Sequence, residues 1–233
     1  MKLFPRLKSA GRLAPHLRAA VAEYRSLTHP PDDTRLAEIR LVIVDVETSG
    51  LDPYRDRLIS LGAVGLTHRL VQFEDSFKVV LRQPHASSEQ NIVVHGIDGT
   101  TQLAGTDPAD ALVAWLAFSR AAPLVGFHAA FDRVMLARAM QQALGIEPTN
   151  SWFDVATLLP ALFPAHRASS LDEWAKLFFI ENRARHDALS DAVATAQLLQ
   201  VALAEAARQG IETVRALADL EKNHRWLMQS MRG

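Results

Sequence analysis

Apolar residues first recur at Leu3, Leu7, Ala10, Ala14, Leu17, Val21 and Tyr24, in alternating steps of four and three. At about 3.6 residues per turn these positions share one face, so the stripe predicts an amphipathic helix. Pro15 lies inside it, removes a donor and crowds the preceding turn, so a short first segment and a better helix from about Pro15 to Leu27 are expected. Thr28-His29-Pro30-Pro31-Asp32-Asp33 then stops any helix. Beyond it the period changes, because Leu41-Val42-Ile43-Val44 is a continuous, β-branched run of the kind that forms a buried strand. Strand candidates follow at about Leu58 to Leu66 and Leu70 to Leu81, joined by a short polar turn at Thr67-His68-Arg69, which predicts an antiparallel meander.

From Asp107 onward the pattern is mainly helical. A helix over Ala109 to Ser119 precedes a short strand at Pro123 to Phe127 and a helix from about Ala130 to Leu144, which Gly145 ends. Trp152-Phe153 reads as a last short strand, followed by helices at about Val155 to Leu162, Leu171 to Phe179, Ala188 to Arg208 and Ile211 to Met231. Strands mixed with helices and no internal repeat predict one α/β domain with a helical arm at each end. The divisions are a basic arm over 1–29, a linker over 30–39, the main domain over 40–209 and a terminal helix over 210–233. The arm is expected to fold against the main domain or to turn its basic face to nucleic acid, a membrane or a partner, and its removal is expected to leave a folded main domain.

Composition narrows the chemistry. The chain has 233 residues, 48% of them apolar and 22% charged, which is ordinary globular usage. With no cysteine, thiolate zinc sites, iron-sulfur clusters, disulfides and Cys nucleophiles are excluded. No apolar run approaches the ~18 residues of a membrane span, and Pro5, Arg6, Lys8, Arg12 and Pro15 interrupt a secretory signal; the basic, acid-poor start leaves a transit peptide open, and with no cysteine a cytoplasmic location is expected. Lys plus Arg is 25 and Asp plus Glu is 26, a net charge of -1, which argues against holding nucleic acid by a large positive field alone.

Three acidic clusters stand at element ends. Asp45 and Glu47 are two apart at the end of the first strand and share one face, where they repel unless a proton or a cation intervenes. Asp132 falls in the first turn of a helix, where the dipole alone would favour it. His186, Asp187 and Asp191 open the long helix, with Asp187 a natural cap. Each has an ordinary structural reading when taken singly.

Together, their order and spacing resemble the three motifs of the DnaQ-like, or DEDDh, exonuclease superfamily, and residues 40–203 resemble it throughout. Asp45-Val46-Glu47-Thr48-Ser49-Gly50 matches the first motif; His128, Ala130, Phe131 and Asp132 match the second; His186 and Asp191 match the third. A sister group has Tyr four residues before the last Asp, where this chain has Asp187, so the histidine type is indicated. Val94-His95-Gly96-Ile97 and Asp154 are supporting marks. One departure is Ala129, where the family usually has Asn, which puts the local loop geometry or a substrate contact in doubt.

The resemblance implies an RNase H-like fold, a mixed five-stranded sheet with the three-strand meander and flanking helices. It implies two divalent cations, Mg²⁺ or Mn²⁺, held by Asp45, Glu47, Asp132 and Asp191. Hard oxygen ligands suit such ions, and two of them about 3.5–4 Å apart stabilise both the attacking and the leaving oxygen at phosphorus. His186 would be the general base, and Thr48, Ser49, Leu51, His128 and Phe131 would contact the terminal nucleotide, with Phe131 equally suited to the core. Arg55, Arg57, Arg133, Arg167, Arg183 and Arg185 are candidate phosphate contacts, Arg167 and Arg185 first among them.

The implied activity is 3′ to 5′ hydrolysis of DNA to nucleoside 5′-monophosphates, in proofreading or repair, as in the proofreading subunits of bacterial DNA polymerase III. RNA or short oligonucleotides are the alternative substrates, and a non-catalytic module that binds a polymerase or another protein through the terminal helices is the reading from another class. Single-stranded 3′ ends are the expected partner. The near-zero charge then divides into +5 over residues 1–29 and -6 over the rest, and two bound divalent cations would move the total from -1 to +3.

Overall fold

The apolar run Leu41-Val42-Ile43-Val44 becomes the middle of a sheet, since its alternate side chains are buried on both faces. In the computed structural model, which describes residues 13–182 and 184–231, this strand is β1 (Leu41–Thr48). Leu3, Leu7, Ala10, the basic residues Lys2, Arg6, Lys8 and Arg12, and Arg183 lie outside the described residues. β1 pairs antiparallel with β2 (Leu58–Thr67), and β2 with β3 (Leu70–Val80). On its other side β1 pairs parallel with β4 (Leu124–Gly126), and β4 with β5 (Trp152–Asp154). The sheet order is β3-β2-β1-β4-β5, a mixed five-stranded RNase H-like arrangement with the expected meander.

The helices are α1 (Pro15–Ser26), α2 (Glu89–His95), α3 (Gly99–Leu103), α4 (Pro108–Ser119), α5 (Ala130–Leu144), α6 (Val155–Leu162), α7 (Leu171–Leu177), α8 (Ala188–Arg208) and α9 (Val214–Ser230). Leu41 and Ile43 share one core with α6, α7, α8 and α9. Val42, Val44 and Val46 share the other with α1, α4 and α5. This is the alternation that a strand buried on both faces requires.

Three features differ from the sequence expectation. α2 and α3 were not expected; each is too short for an apolar period to show, and each starts on a polar cap, Ser88 accepting from Asn91 N and Asp98 from Thr101 N. α9 begins at Val214 rather than Ile211, because Thr213 caps it and bridges to Arg35. The segment expected as a linker buries Leu36 and Ile39 in the first core, and Leu36 N donates to Glu212 O.

α1 is likewise part of the packed body. Leu17, Val21 and Tyr24 are buried, and the Tyr24 hydroxyl donates to Asn150 Oδ1, whose amide in turn donates to the Arg120 and Ala122 carbonyls. This is the helix folded against the main domain that the stripe suggested, and removing 1–29 would strip these side chains from the second core. Among the described residues no helix is long and apolar enough to cross a membrane.

Candidate active site

The acidic residues converge where β1 ends beside the start of α8. Carboxylate oxygens of Asp45, Glu47 and Asp191 all lie within 4.8 Å of one another. Two glycines make room for this. Gly62 stands opposite Asp45 in the register of β2, and a Cβ there would fall 2.2 Å from Leu189 N and 2.3 Å from Ala188 C, so α8 can press its first turn onto the sheet only over a glycine. Gly126 ends β4, and a Cβ there would lie 3.1 Å from Asp132 Oδ2. Gly62→Ala is therefore expected to push the start of α8 off β2. The cost should be roughly 1–3 kcal/mol of stability, with divalent-cation affinity lowered at least about tenfold, read by thermal unfolding and cation titration. Unchanged cation affinity would show that the spacing of α8 from β1 does not control the cluster.

Asp132 is buried in the first turn of α5 but lies outside the three-carboxylate group. It accepts backbone hydrogen bonds from its own and the Val46 N–H. Burial still outweighs them and pushes its pKa up to about 7, with repulsion from Asp154 adding to the rise. Glu47 is pushed up to about 8, by burial first and then by Asp191 and Asp187, against the pull of Arg185. Asp45 is raised well above the usual carboxylate range by burial and then by Asp132, Asp191 and Glu47. Such a cluster is strained when ionised and is relieved by a cation. The donors are all carboxylate oxygens, which fits hard divalent ions.

Asp191 is the best-connected member. Arg185 reaches its Oδ2 at 2.7 Å and Asp172 Oδ1 at 2.6 Å, which ties α7 to α8 across the loop between them. The His186 backbone N–H donates to the same oxygen at 3.0 Å, and the Asn182 amide donates to Oδ1. Asp187 caps α8 by accepting from Ser190 N at 3.0 Å and forms an ion pair with Lys78 of β3. Its pKa is lowered because the Lys78 and Ser190 hydrogen bonds outweigh burial. His186 has a left-handed φ of 62° and is exposed; its imidazole makes no hydrogen bond to any described residue.

The other expected site residues flank the cluster. Thr48 Oγ1 donates to Gly50 O, and Ser49 Oγ to Asp56 Oδ1, which holds the loop after β1, while Leu51 is 90% exposed at its tip. His128 is exposed at φ 59°, with Nε2 3.3 Å from Ser169 O. Phe131 is half-buried against the second core. Ala129 is buried and is the N-cap of α5 without a side-chain cap. Among the described arginines, Arg133 and Arg167 are exposed, Arg55 pairs with Asp52, and Arg57 hydrogen-bonds His85, so of these only Arg185 touches the cluster.

Sequence reasoning missed Asn91, Asp172 and Asn182. Asn91 of α2 donates its amide to Ser49 O and so braces the loop after β1. Its only trace in the sequence is the polar residue ahead of the Val94-His95-Gly96 segment. His95 is buried, with Nδ1 accepting from Ile97 N at 3.0 Å, and Gly96 ends α2 at φ 68°. That segment is therefore a structural turn beneath the loop.

Residues 42–199 match the model of a family described as exonuclease, of the RNase T type. A DNA polymerase III subunit epsilon-like protein of Rhodobacter capsulatus is 29% identical over 204 residues, 85% of this chain and 29% of the relative. A DNA polymerase III PolC-type protein of Bacillus subtilis is 30% identical over 178 residues, 76% of this chain and 12% of the relative. The chain thus spans less than a third of the length of these relatives. E. coli Exonuclease I in complex with a dT13 oligonucleotide superposes with a TM-score of 0.64 at 18% identity, over 74% of this chain and 42% of that one. Exonuclease X in complex with 5′ overhanging duplex DNA gives 0.59 at 19% identity, over 78% and 99%.

Proposed function

The chain belongs to the RNase T-type exonuclease family, and on that premise we propose that it is a metal-dependent 3′ to 5′ exonuclease that releases nucleoside 5′-monophosphates from single-stranded DNA ends. The observation that carries the reading is the convergence of Asp45, Glu47 and Asp191 within 4.8 Å, with burial holding Glu47 near a pKa of about 8. Asp45, Glu47, Asp191 and, from α5, Asp132 would hold two divalent cations, Mg²⁺ or Mn²⁺. Bound there, the ions supply charge neutralisation and Lewis acidity at the phosphodiester.

The chain's own residues do the rest. His186 sits at the rim, fixed through its backbone to Asp191 but with its ring free to turn, and takes the proton from the attacking water. Thr48 and Ser49 present backbone and hydroxyl groups to the terminal nucleotide, and exposed Leu51 offers an apolar surface to its base. Arg185 neutralises Asp191 in the free protein and is placed to meet a phosphate once that carboxylate has another partner. DNA is favoured because the relatives are named for DNA polymerase III, one as an epsilon-like protein and one as PolC-type, and one structural neighbour was solved with a dT13 oligonucleotide. A role beside a polymerase or another protein partner in the cytoplasm fits the exposed Trp226, Leu227 and Met231 on and just beyond α9.

The test is release of mononucleotides from 3′- or 5′-labelled single-stranded DNA, mismatch-ended duplex and RNA, with and without Mn²⁺. Cation-dependent shortening from the 3′ end of DNA is expected. RNA cleaved faster than DNA would reassign the substrate, and no cleavage of any of them would sink the proposal. His186→Ala is expected to lower kcat about 10²–10⁴-fold while cation affinity stays near the parent's. Equal loss of both would make His186 a structural residue.

A further inference from the structure

α9 lies beyond the stretch that matches the exonuclease family, which ends at residue 199. Yet it places two charged side chains against Asp154, the carboxylate to which the loop of the second acidic motif donates a hydrogen bond. Glu221 is buried, at 6% exposure, and faces Asp154, itself 8% exposed at the end of β5. Arg225, one turn on, hydrogen-bonds Glu221 and stands 3.8 Å from Asp154 Oδ2. Glu221 also accepts from the Asp154 backbone N–H.

Asp154 is fully committed. Its Oδ1 accepts from His128 N at 2.9 Å and from Ala156 N at 3.1 Å, and its Oδ2 accepts from Thr157 Oγ1 at 3.0 Å. The first of these bonds matters most, because His128 is a non-glycine residue held at φ 59°. Such a residue is strained by about 1–2 kcal/mol and keeps that conformation only when its surroundings impose it. Where the family usually has Asn, Ala129 brings no side-chain cap to this loop. Asp154 is then the carboxylate that fixes the His128 peptide, and α5 starts two residues later with Asp132 in its first turn.

We propose that Glu221 and Arg225 are positioning residues of the active site. They hold Asp154 in place, Asp154 holds the His128 peptide in its left-handed turn, and that turn sets where α5 presents Asp132. Two like charges would otherwise face each other here, and the guanidinium between Glu221 and Asp154 makes the arrangement possible. α9 is by this reading a working part of the catalytic body rather than an appended helix. The catalytic consequence rests on the exonuclease assignment above; the mechanical one does not.

The experiment uses the full chain, since Val214 and Leu217 anchor α9 in the first core and a truncation would remove them. Arg225→Ala, Arg225→Lys, Glu221→Ala and Glu221→Gln are compared with the parent by three readouts: amide exchange at His128, Mn²⁺ affinity and nuclease kcat and KM. The alanine variants are expected to speed exchange at His128 at least about tenfold, weaken Mn²⁺ binding severalfold and lower kcat more than they raise KM. Arg225→Lys and Glu221→Gln, which keep a donor and an acceptor, should recover most of each. Parent-like exchange and Mn²⁺ affinity in both alanine variants would overturn the proposal. An inactive parent whose variants still loosen His128 would overturn the exonuclease assignment and leave the coupling standing.

Discussion

Asp45→Asn is expected to abolish mononucleotide release, by about three orders of magnitude or more, and yet to melt above the parent in cation-free buffer. The two effects have one cause. Asp45 is surrounded by Asp132, Asp191 and Glu47, each of which raises its pKa on top of burial, and Arg185 offsets this only in part. An amide keeps the volume and removes the charge, so the repulsion among the remaining acids falls. The gain in melting temperature should appear by scanning calorimetry, in chelator and at a pH where the neighbouring acids are ionised. Asp191→Asn should be as inactive but without that gain, since it breaks the 2.7 Å contact with Arg185. Activity within tenfold of the parent in either variant would remove these carboxylates from the reaction. A lower melting temperature for Asp45→Asn would mean that Asp45 holds the fold by bonds that outweigh its repulsions.

The cation-free parent is expected to lose stability as pH rises, and divalent cations should reverse the loss. The folded-state pKa of Glu47, about 8, lies above its ordinary value of 4.5, and that of Asp132, about 7, above 3.8. The folded chain therefore binds more protons than the unfolded one across that interval, and its stability falls with increasing pH. The contribution is complete below the unfolded values, near pH 4, and is gone once pH passes the folded ones, near 8. Each pKa unit corresponds to about 1.4 kcal/mol, and both groups contribute up to about pH 7 and Glu47 alone beyond it, so a drop of more than about 10 °C in Tm between about pH 5 and about pH 8 is expected. Saturating Mg²⁺ or Mn²⁺, at about a hundred times its Kd, should return about 2.7 kcal/mol, most visibly at the alkaline end. Glu221 is also raised, to about 7, by burial, although Arg225 lowers it. Its share of the pH dependence should survive cation addition. A melting temperature that rises with pH in chelator, or that ignores cations at pH 8, would contradict this account.

The fold was legible where a pattern was long enough to carry a period. The β-branched run at Leu41 to Val44, the helix from Ala130 to Leu144 and the helix from Ala188 to Arg208 all stand where the alternation of residues put them. α2 and α3 were not, because five to seven residues give no repeat and their start is written only in a cap. The burial of Leu36 and Ile39 was hidden by the prolines and acids just before them. At the site, the spacing of Asp45, Glu47, Asp132 and Asp191 was visible, but not their partners. Asn182 comes to Asp191 through a turn, and Asp172 is linked to it only through Arg185, which no spacing rule encodes. The glycine opposite Asp45 was equally silent, since its meaning is the helix backbone that lies against it.

The central strand has two kinds of neighbour. β1 pairs on one side with the next strand in the chain and on the other with Leu124 and Val125, about eighty residues later. Loop closure favours the near pairing, so the antiparallel half has the means to assemble first and the parallel half to dock onto it. Asp45 and Glu47 would then be in place early, while Asp191 arrives only with α8. A chain emerging from the ribosome would carry no complete carboxylate cluster until residues past 191 had left the tunnel and packed. The candidate site is thus the last part of the sheet's edge to be completed along the chain, and a fragment that ends before α8 would lack its third carboxylate.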